Sequence, residues 1–264
     1  MAGELYIKLH GGHSMFYFLI APILMYNWFL ILAAIVPAIF LMVKVYRSDR
    51  LEAESPAFLR RLVLGGVIAT LIAMVIERAG SALLAASVPV NSTAYNVILY
   101  FVIVGFAEEG AKYFMLKRWS WNSSEFNCQY DAVVYAVFVS LGFALWENIS
   151  YVTHYGFATA LVRAVTAIPG HTCFGVFMGA FYGLARGYAY LGENGKSKFF
   201  RVLAVIIPAV IHGAYDYIAS TQETDGTFAF LAFILILFTA SFVMVSNLAK
   251  NDKYFNMDRQ NFTF

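Results

Sequence analysis

Four short patterns place ionisable side chains inside apolar stretches of the sequence. In the first, GFAEEGAK, Glu108 and Lys112 are four residues apart and share a helix face, while Glu109 also lies within helical reach of Lys112. Charges in hydrocarbon cost free energy, so such residues are candidates for function. Two carboxylates and one amine predict that one carboxylate holds a proton or metal while Lys112 neutralises the other. The alternative is a structural ion pair between helices.

The second pattern, LGFALWENISY, places Glu147 one helical turn beyond Phe143. If the helix begins near Gln129, Glu147 lies about 27 Å along it at 1.5 Å per residue. At that depth Glu147 is either a functional carboxylate inside the bundle or a helix-end residue near the outer headgroups.

The third pattern, PGHTCFGVFMGAFYGLARG, begins with His171 and repeats glycine every four residues at Gly175, Gly179, Gly183 and Gly187. A stripe of small residues lets another helix approach closely, so we expect His171 to face the bundle interior. Pro169 and Gly170 are expected to loosen the helix just before it. The alternative is a histidine that is hydrogen-bonded across a helix contact.

The fourth pattern, IHGAYDY, places His212 and Asp216 on one helix face. A carboxylate that accepts one imidazole N–H fixes the tautomer and leaves the other nitrogen for metal or proton transfer. The alternative is a buried polar pair that serves packing.

Together the four patterns supply glutamate and histidine side chains, which at an open site suit zinc and hydrolytic chemistry. The sequence contains no HExxH, GxSxG or GxGD motif. Cys173 points away from His171 on a helix and is expected to be a buried apolar cysteine. The Tyr-Asp pairs ending at Asp131 and Asp216 leave an aspartyl intramembrane protease as a minor alternative.

The composition requires that these groups lie within a membrane. Of 264 residues, 61% are hydrophobic and only 13% are charged, against roughly 25% charged residues in soluble domains. This excludes an ordinary soluble enzyme, a disordered chain and, with only Cys128 and Cys173, a disulfide scaffold. A net charge of +2 does not favour a nucleic acid partner. We expect a single integral membrane domain over residues 1–264, with a motif-bearing core at about 93–220.

The apolar runs predict an all-α, polytopic transmembrane helical bundle of about seven spans, at 21–44, 62–86, 93–116, 129–152, 159–186, 200–220 and 227–249. Residues 1–12 lack the basic segment of a signal peptide, so none is expected. Basic residues fall on one side of this alternating arrangement and predict that the N-terminus lies outside and the C-terminus inside. These residues are Lys44, Arg47, Arg50, Arg60, Arg61, Lys117, Arg118, Arg186, Lys196, Lys198, Arg201, Lys250, Lys253 and Arg259.

The sequence resembles the PrsW family of intramembrane proteases, which is distantly related to the type II CAAX-prenyl proteases. EEGAK fits the motif EExxK, FALWE fits FxxxE and HGAYD fits HxxxD, and the similarity covers roughly residues 30–220. The resemblance implies membrane-embedded peptide hydrolysis, metal-dependent or with a metal-free glutamate mechanism. It implies an active centre formed by Glu108, Glu109, Glu147, His171 and His212, with Asp216 in support.

We therefore expect a multi-pass intramembrane endopeptidase of a prokaryotic plasma membrane that cuts membrane-tethered proteins. Glu108 is the predicted general base, and Glu109 and His212 complete the catalytic group. Zinc is the expected cofactor, with Glu147, His171 and His212 as ligands and Lys112, Phe143 and Asp216 in support. The alternative is a proton- or cation-coupled transporter or binding protein, although no internal repeat supports it. The oligomeric state stays open.

Overall fold

The computed structural model describes residues 28–90, 92–221 and 224–255. In these ranges every continuous element is helical, and the only other pairing is an isolated β-bridge between Cys128 and Tyr254. The elements are α1 (Trp28–Tyr46), α2 (Pro56–Ser87), α3 (Thr93–Val97), a π-helical segment (Ile98–Val104), α4 (Gly105–Ser120), α5 (Asp131–Tyr155), α6 (Phe157–Val165), α7 (Ala167–Tyr190), α8 (Asn194–Ala219) and α9 (Thr224–Lys250). The expectation about residues 1–12 and the start of the first predicted span lie outside the described residues.

Six helical stretches are long and apolar enough to cross a membrane. They are Trp28–Tyr46, Pro56–Ser87, Asp131–Tyr155, Phe157–Tyr190, Asn194–Ala219 and Gly226–Lys250. The remaining predicted span, the third at 93–116, corresponds to α3, the π-helical segment and α4. Helix α4 carries five charged residues, which are Glu108, Glu109, Lys112, Lys117 and Arg118. The predicted all-α, polytopic membrane bundle is therefore confirmed. The EExxK motif lies on α4, in the helical stretch with the most charged residues.

The predicted fifth span is two helices in the structure. Thr166, at φ −120° and ψ −72°, separates α6 from α7. Pro169 lies in the first turn of α7, where a missing backbone N–H costs no hydrogen bond. The helix is thus interrupted just before His171, and the break lies three residues ahead of the proline.

The glycine stripe of α7 packs against α5. A Cβ atom added at Gly179 would lie 2.5 Å from Val133 Cα, and one added at Gly175 would lie 3.0 Å from Val137 Cα. The two backbones approach so closely at Gly175 and Gly179 that no side chain would fit between them. The contact holds His171 against the helix that carries Glu147.

A second close approach joins α8 to the π-helical segment. A Cβ atom at Gly105 would lie 2.5 Å from the carbonyl oxygen of Ala209, and one at Gly213 would lie 2.7 Å from Phe101 Cα. A π-helical segment widens the helix locally and is frequent near functional sites. Here it brings the start of α4 against the part of α8 that carries His212.

Three connecting segments meet at one end of the bundle, and basic residues lie in or next to each of them. Ser55 N donates to Glu125 at 2.9 Å, which joins the α1–α2 connection to the α4–α5 connection. Tyr130 N donates to Asp252 Oδ1 at 2.8 Å, which joins the second connection to the segment after α9. The orientation of this end stays a prediction from the distribution of lysine and arginine.

Cysteine labelling of intact cells tests that orientation. We expect a cysteine at Gly195, which is exposed and has no atom within 4 Å of an added Cβ, to react only after the membrane is permeabilised. A cysteine at Val90, exposed at the other end of α2, should react from outside. Cys128 and Cys173 are buried, so their background is low. Labelling of Gly195→Cys from outside intact cells would overturn the predicted orientation.

Candidate active site

A cavity of about 490 Å³ lies where six helices and the π-helical segment meet. Side chains from α2, the π-helical segment, α4, α5, α6, α7 and α8 line it. The ionisable ones are Glu77, Glu108, Glu147, Arg163, His171, His212 and Asp216. The structure thus brings both histidines and three of the four carboxylates of the sequence patterns, Glu108, Glu147 and Asp216, to one cavity.

Lys112 is the centre of the buried charge cluster beside this cavity. Its Nζ atom lies 2.7 Å from Glu109 Oε1, 3.1 Å from Glu108 Oε2 and 3.2 Å from His171 Nδ1. The ammonium also lies 4.0 Å from the centroid of the Phe143 ring, a favourable cation–π contact. Lys112 and Phe143, which were expected to support the site, therefore contact each other and both contact His171.

The two carboxylates of the doublet have different surroundings. The side chain of Glu108 is 8% exposed and lines the cavity, whereas that of Glu109 is fully buried. Glu109 Oε1 accepts hydrogen bonds from both Lys112 and His212 Nδ1, the latter at 2.9 Å. Glu108 therefore faces the cavity, whereas Glu109 holds Lys112 and His212 in position.

Glu147 contacts His171 and an arginine. Glu147 Oε2 lies 2.8 Å from His171 Nε2 and also 2.8 Å from Arg163 Nη2. Arg163 Nε donates to Asn148 Oδ1 at 2.7 Å, so α6 is fastened to the end of α5. The Glu147 side chain lines the cavity and is 21% exposed, and its two partners are equally close.

His212 and Asp216 are neighbours, but their contact is long. His212 Nε2 lies 3.5 Å from Asp216 Oδ2, whereas its Nδ1 lies 2.9 Å from Glu109. The carboxylate that orients the His212 ring is therefore Glu109, from another helix. Among the described residues, one donor atom each from Glu108, His171 and His212 lie within 4.8 Å of one another.

A scan against family models identifies the chain. Residues 55–245 match the model described as PrsW family intramembrane metalloprotease. The chain belongs to the PrsW family. It is consequently an intramembrane protease and a multi-pass membrane protein.

Relatives named Protease PrsW cover most of the chain. The protein from Halalkalibacterium halodurans is 32% identical over 208 residues, which cover 79% of this chain and 91% of the relative. The one from Geobacillus kaustophilus is 33% identical over 212 residues, 80% of this chain and 88% of the relative. The one from Bacillus subtilis is 30% identical over 208 residues, 79% and 90% respectively. No solved structure matches this chain. These findings support the protease and offer nothing for a transporter.

The motif side chains of this PrsW-family chain lie about 18 to 28 Å from the helix ends at one face of the bundle. At 1.5 Å per residue, Glu108 is about 18 Å from the end of α4 and Glu147 about 24 Å from the start of α5. His171 and His212 are about 28 Å and 27 Å from the ends of α7 and α8 at the same face. Measured from the helix ends in the structure, Glu147 is thus farther from this face than Glu108 and slightly nearer to it than the two histidines.

The sequence patterns missed two residues of the candidate site in this PrsW-family chain. The four sequence patterns include neither Arg163 nor Glu77. Arg163 pairs with Glu147 at 2.8 Å, and Glu77 lines the cavity. The available signal was their position inside apolar helices, which marks an ionisable residue as a functional candidate.

The other candidates lie away from the PrsW-family site. Cys173 is buried among apolar side chains that include Phe174 and Ile234, as predicted. Asp131 is the first residue of α5, about 24 Å along the helix from Glu147. Asp131 and Asp216 therefore do not form the aspartyl pair of the minor alternative.

Proposed function

We propose that this PrsW-family protease cleaves membrane-tethered proteins with zinc held by His171 and His212 and with water activated by Glu108. The observation that carries the proposal is the group of one carboxylate oxygen and two imidazole nitrogens within 4.8 Å of one another. A bound zinc ion would supply Lewis acidity toward the scissile carbonyl group.

The donor types and the local charge both fit a divalent cation. Carboxylate oxygen and imidazole nitrogen are the usual ligands of catalytic zinc. Five carboxylates, from Glu77, Glu108, Glu109, Glu147 and Asp216, line or adjoin the cavity, whereas Lys112 and Arg163 are its two permanent cations. The formal excess of three negative charges favours a further cation. Lys112 Nζ lies between Glu108 and His171, so it must shift when an ion binds there.

Glu108 is the carboxylate suited to proton transfer. It reaches the cavity, whereas Glu109 is fully buried and its Oε1 atom is shared by Lys112 and His212. A general base takes a proton from the attacking water and returns it to the leaving amine. Glu109 instead positions Lys112 and His212, which explains why the motif needs two adjacent glutamates.

The hydrogen bonds define the roles of the two imidazoles. Lys112 Nζ only donates, so His171 Nδ1 accepts from it and His171 Nε2–H donates to Glu147. His212 Nδ1–H donates to Glu109, which leaves Nε2 as the nitrogen with a lone pair. Glu147, a ligand in the sequence-based expectation, lies outside the three-donor group, and we assign it to orienting His171.

A second cavity supports a lateral route for the substrate. It measures about 360 Å³, lies between α6, α8 and α9, and shares Arg163, Tyr215 and Asp216 with the first cavity. A transmembrane helix must unwind before cleavage because its amides are already hydrogen-bonded. An extended segment that enters here reaches Glu108 past the polar side chains of Arg163 and Asp216.

Zinc content and cleavage measured on the same preparations test the proposal. We expect one zinc ion per wild-type chain by elemental analysis, and its loss in His171→Ala and His212→Ala together with cleavage of a membrane-tethered reporter. The matched control is His154→Ala, because His154 is on α5 but its ring contacts only the Ser150 carbonyl within hydrogen-bond distance. This variant should keep both properties.

Either of two results would contradict the metal assignment. Full cleavage by chain that contains no zinc after chelation would favour the metal-free mechanism. Zinc retained at wild-type level in both histidine variants would exclude His171 and His212 as its ligands.

A further inference from the structure

Four carboxylates converge at the end of the bundle opposite the active-site cavity. Asp49 and Glu54 belong to the α1–α2 connection, Asp131 begins α5, and Asp252 follows α9. One carboxylate oxygen each from Asp49, Glu54 and Asp131 lie within 4.8 Å of one another. One carboxylate oxygen each from Asp131 and Asp252 and the Sγ atom of Cys128 also lie within 4.8 Å of one another. Three chain segments that are distant in sequence thus contribute acidic groups to one place.

Backbone groups hold one oxygen of three of these carboxylates. Asp131 Oδ2 accepts from the N–H groups of Asn127 and Cys128, at 2.9 and 2.7 Å. Asp252 Oδ1 accepts from Tyr130 N at 2.8 Å and from the following residue at 2.9 Å. Asp49 Oδ1 accepts from the N–H of residue 51 at 3.2 Å. The carboxylates are therefore fixed in orientation by the fold.

The other oxygen of each carboxylate is buried and has no hydrogen-bond partner among the described residues. These atoms are Asp49 Oδ2, Glu54 Oε1, Asp131 Oδ1 and Asp252 Oδ2. Glu54 is only 3% exposed and Asp131 only 1%. An unsatisfied buried carboxylate oxygen is costly, and four together at one place require a common explanation.

These carboxylates have no ion-pair partner among the residues that the structure describes. Within the described part of the chain, none of the ion pairs involves any of the four residues. The described part of the fold thus gathers four carboxyl groups at one place without an ion pair to any of them.

We propose that Asp49, Glu54, Asp131 and Asp252 form a binding site for a hard divalent cation, Ca²⁺ or Mg²⁺. Clustered carboxylate oxygens are the donors these ions prefer. Cys128 Sγ is close, but its thiol donates to Asn127 Oδ1 at 3.0 Å, so the donor set is one of oxygens. A bound ion would bring positive charge to buried carboxylate oxygens that have no hydrogen-bond partner among the described residues.

The cation site is separate from the proteolytic centre and has a structural consequence. Asp131 and Glu147 are about 24 Å apart along α5. An ion at this site fastens the α1–α2 connection, the start of α5 and the segment after α9 to one another. Its loss would loosen the end of α5, the helix against which α7 and its His171 pack.

Calorimetric titration of the purified full-length protein in detergent tests the site. The protein is first treated with chelator until elemental analysis finds no divalent ion, and CaCl2 and MgCl2 are then added in separate titrations. We expect one of these ions to bind with a stoichiometry of one per chain. At an ion concentration 100 times Kd, the melting temperature should rise by about 5–10 °C.

Matched variants locate the response. Asp131→Asn and Glu54→Gln should abolish the heat of binding and the rise in melting temperature, since each replaces a charged oxygen donor by an amide of the same shape. Cys128→Ser should bind normally because sulfur is not a ligand. The double variant His171→Ala/His212→Ala should also bind normally, which separates this site from the proposed zinc.

Two outcomes would overturn the cation site. One is a wild-type melting temperature that neither ion changes, together with Asp131→Asn and Glu54→Gln chains that melt at higher temperature. That result would mean that the carboxyl groups share protons. The other is an undiminished response to Ca²⁺ or Mg²⁺ in both amide variants, which would place the ion elsewhere.

Discussion

Replacement of Glu108 by glutamine is expected to abolish detectable cleavage of a membrane-tethered reporter while the protein still folds and inserts. Glutamine has the same shape and still accepts hydrogen bonds, but it takes no proton from water. Removal of a general base typically lowers the rate by about 10²–10⁴. Glu108 is partly exposed to the cavity, and Lys112 keeps its shorter contact with Glu109, 2.7 Å against 3.1 Å. The melting temperature should therefore change little.

Zinc content of the same Glu108→Gln preparation distinguishes two roles of this carboxylate. If Glu108 is the base, zinc remains near one ion per chain and only cleavage is lost. If Glu108 is itself a ligand, zinc and cleavage are lost together. Glu193→Gln is the control, because Glu193 pairs with Lys196 in an exposed turn and should keep full activity. An active Glu108→Gln enzyme would refute both roles.

Replacement of Glu109 by glutamine is expected to cost stability as well as activity. Glu109 and Lys112 are both fully buried and 2.7 Å apart, and Glu109 Oε1 also accepts from His212 Nδ1. Removal of one partner of a buried ion pair typically costs about 3–5 kcal/mol of the free energy of unfolding. The measurement is the melting temperature in detergent, compared directly with that of Glu108→Gln.

A double variant separates the charge effect from loss of packing. Glu109→Gln combined with Lys112→Met removes both members of the pair and leaves Glu108 as the carboxylate of the doublet. It should melt at a higher temperature than Glu109→Gln alone, because the unpaired buried ammonium is the main cost. Equal melting temperatures for Glu109→Gln and the wild type would show that the pair contributes nothing to stability.

The sequence by itself determined the fold class and the chemistry of the site. Long apolar runs define membrane helices whatever their partners, because hydrocarbon leaves the backbone no other hydrogen bonds. The spacing of Glu108 and Lys112, and of His212 and Asp216, follows from the pitch of one helix and needs no tertiary information. The repeat of glycine after His171 likewise predicted a close helix contact, which the structure supplies with α5.

Tertiary structure decided which side chains of different helices meet. Helical periodicity fixes relative directions within one helix but not its rotation, tilt or depth against its neighbours. Only packing therefore gives His212 its contact with Glu109, Glu147 its contacts with His171 and Arg163, and α7 its break at Thr166.

For the same reason, the sequence does not predict that four carboxylates converge at the end of the bundle opposite the active-site cavity. Asp49, Glu54, Asp131 and Asp252 stand in three separate polar segments, where single acidic residues are ordinary. Their convergence depends on how α1, α2, α5 and α9 end at one face. The order of charged residues within one helix can thus be read from the sequence. A site formed by several helices depends on the packing that brings their ends and faces together.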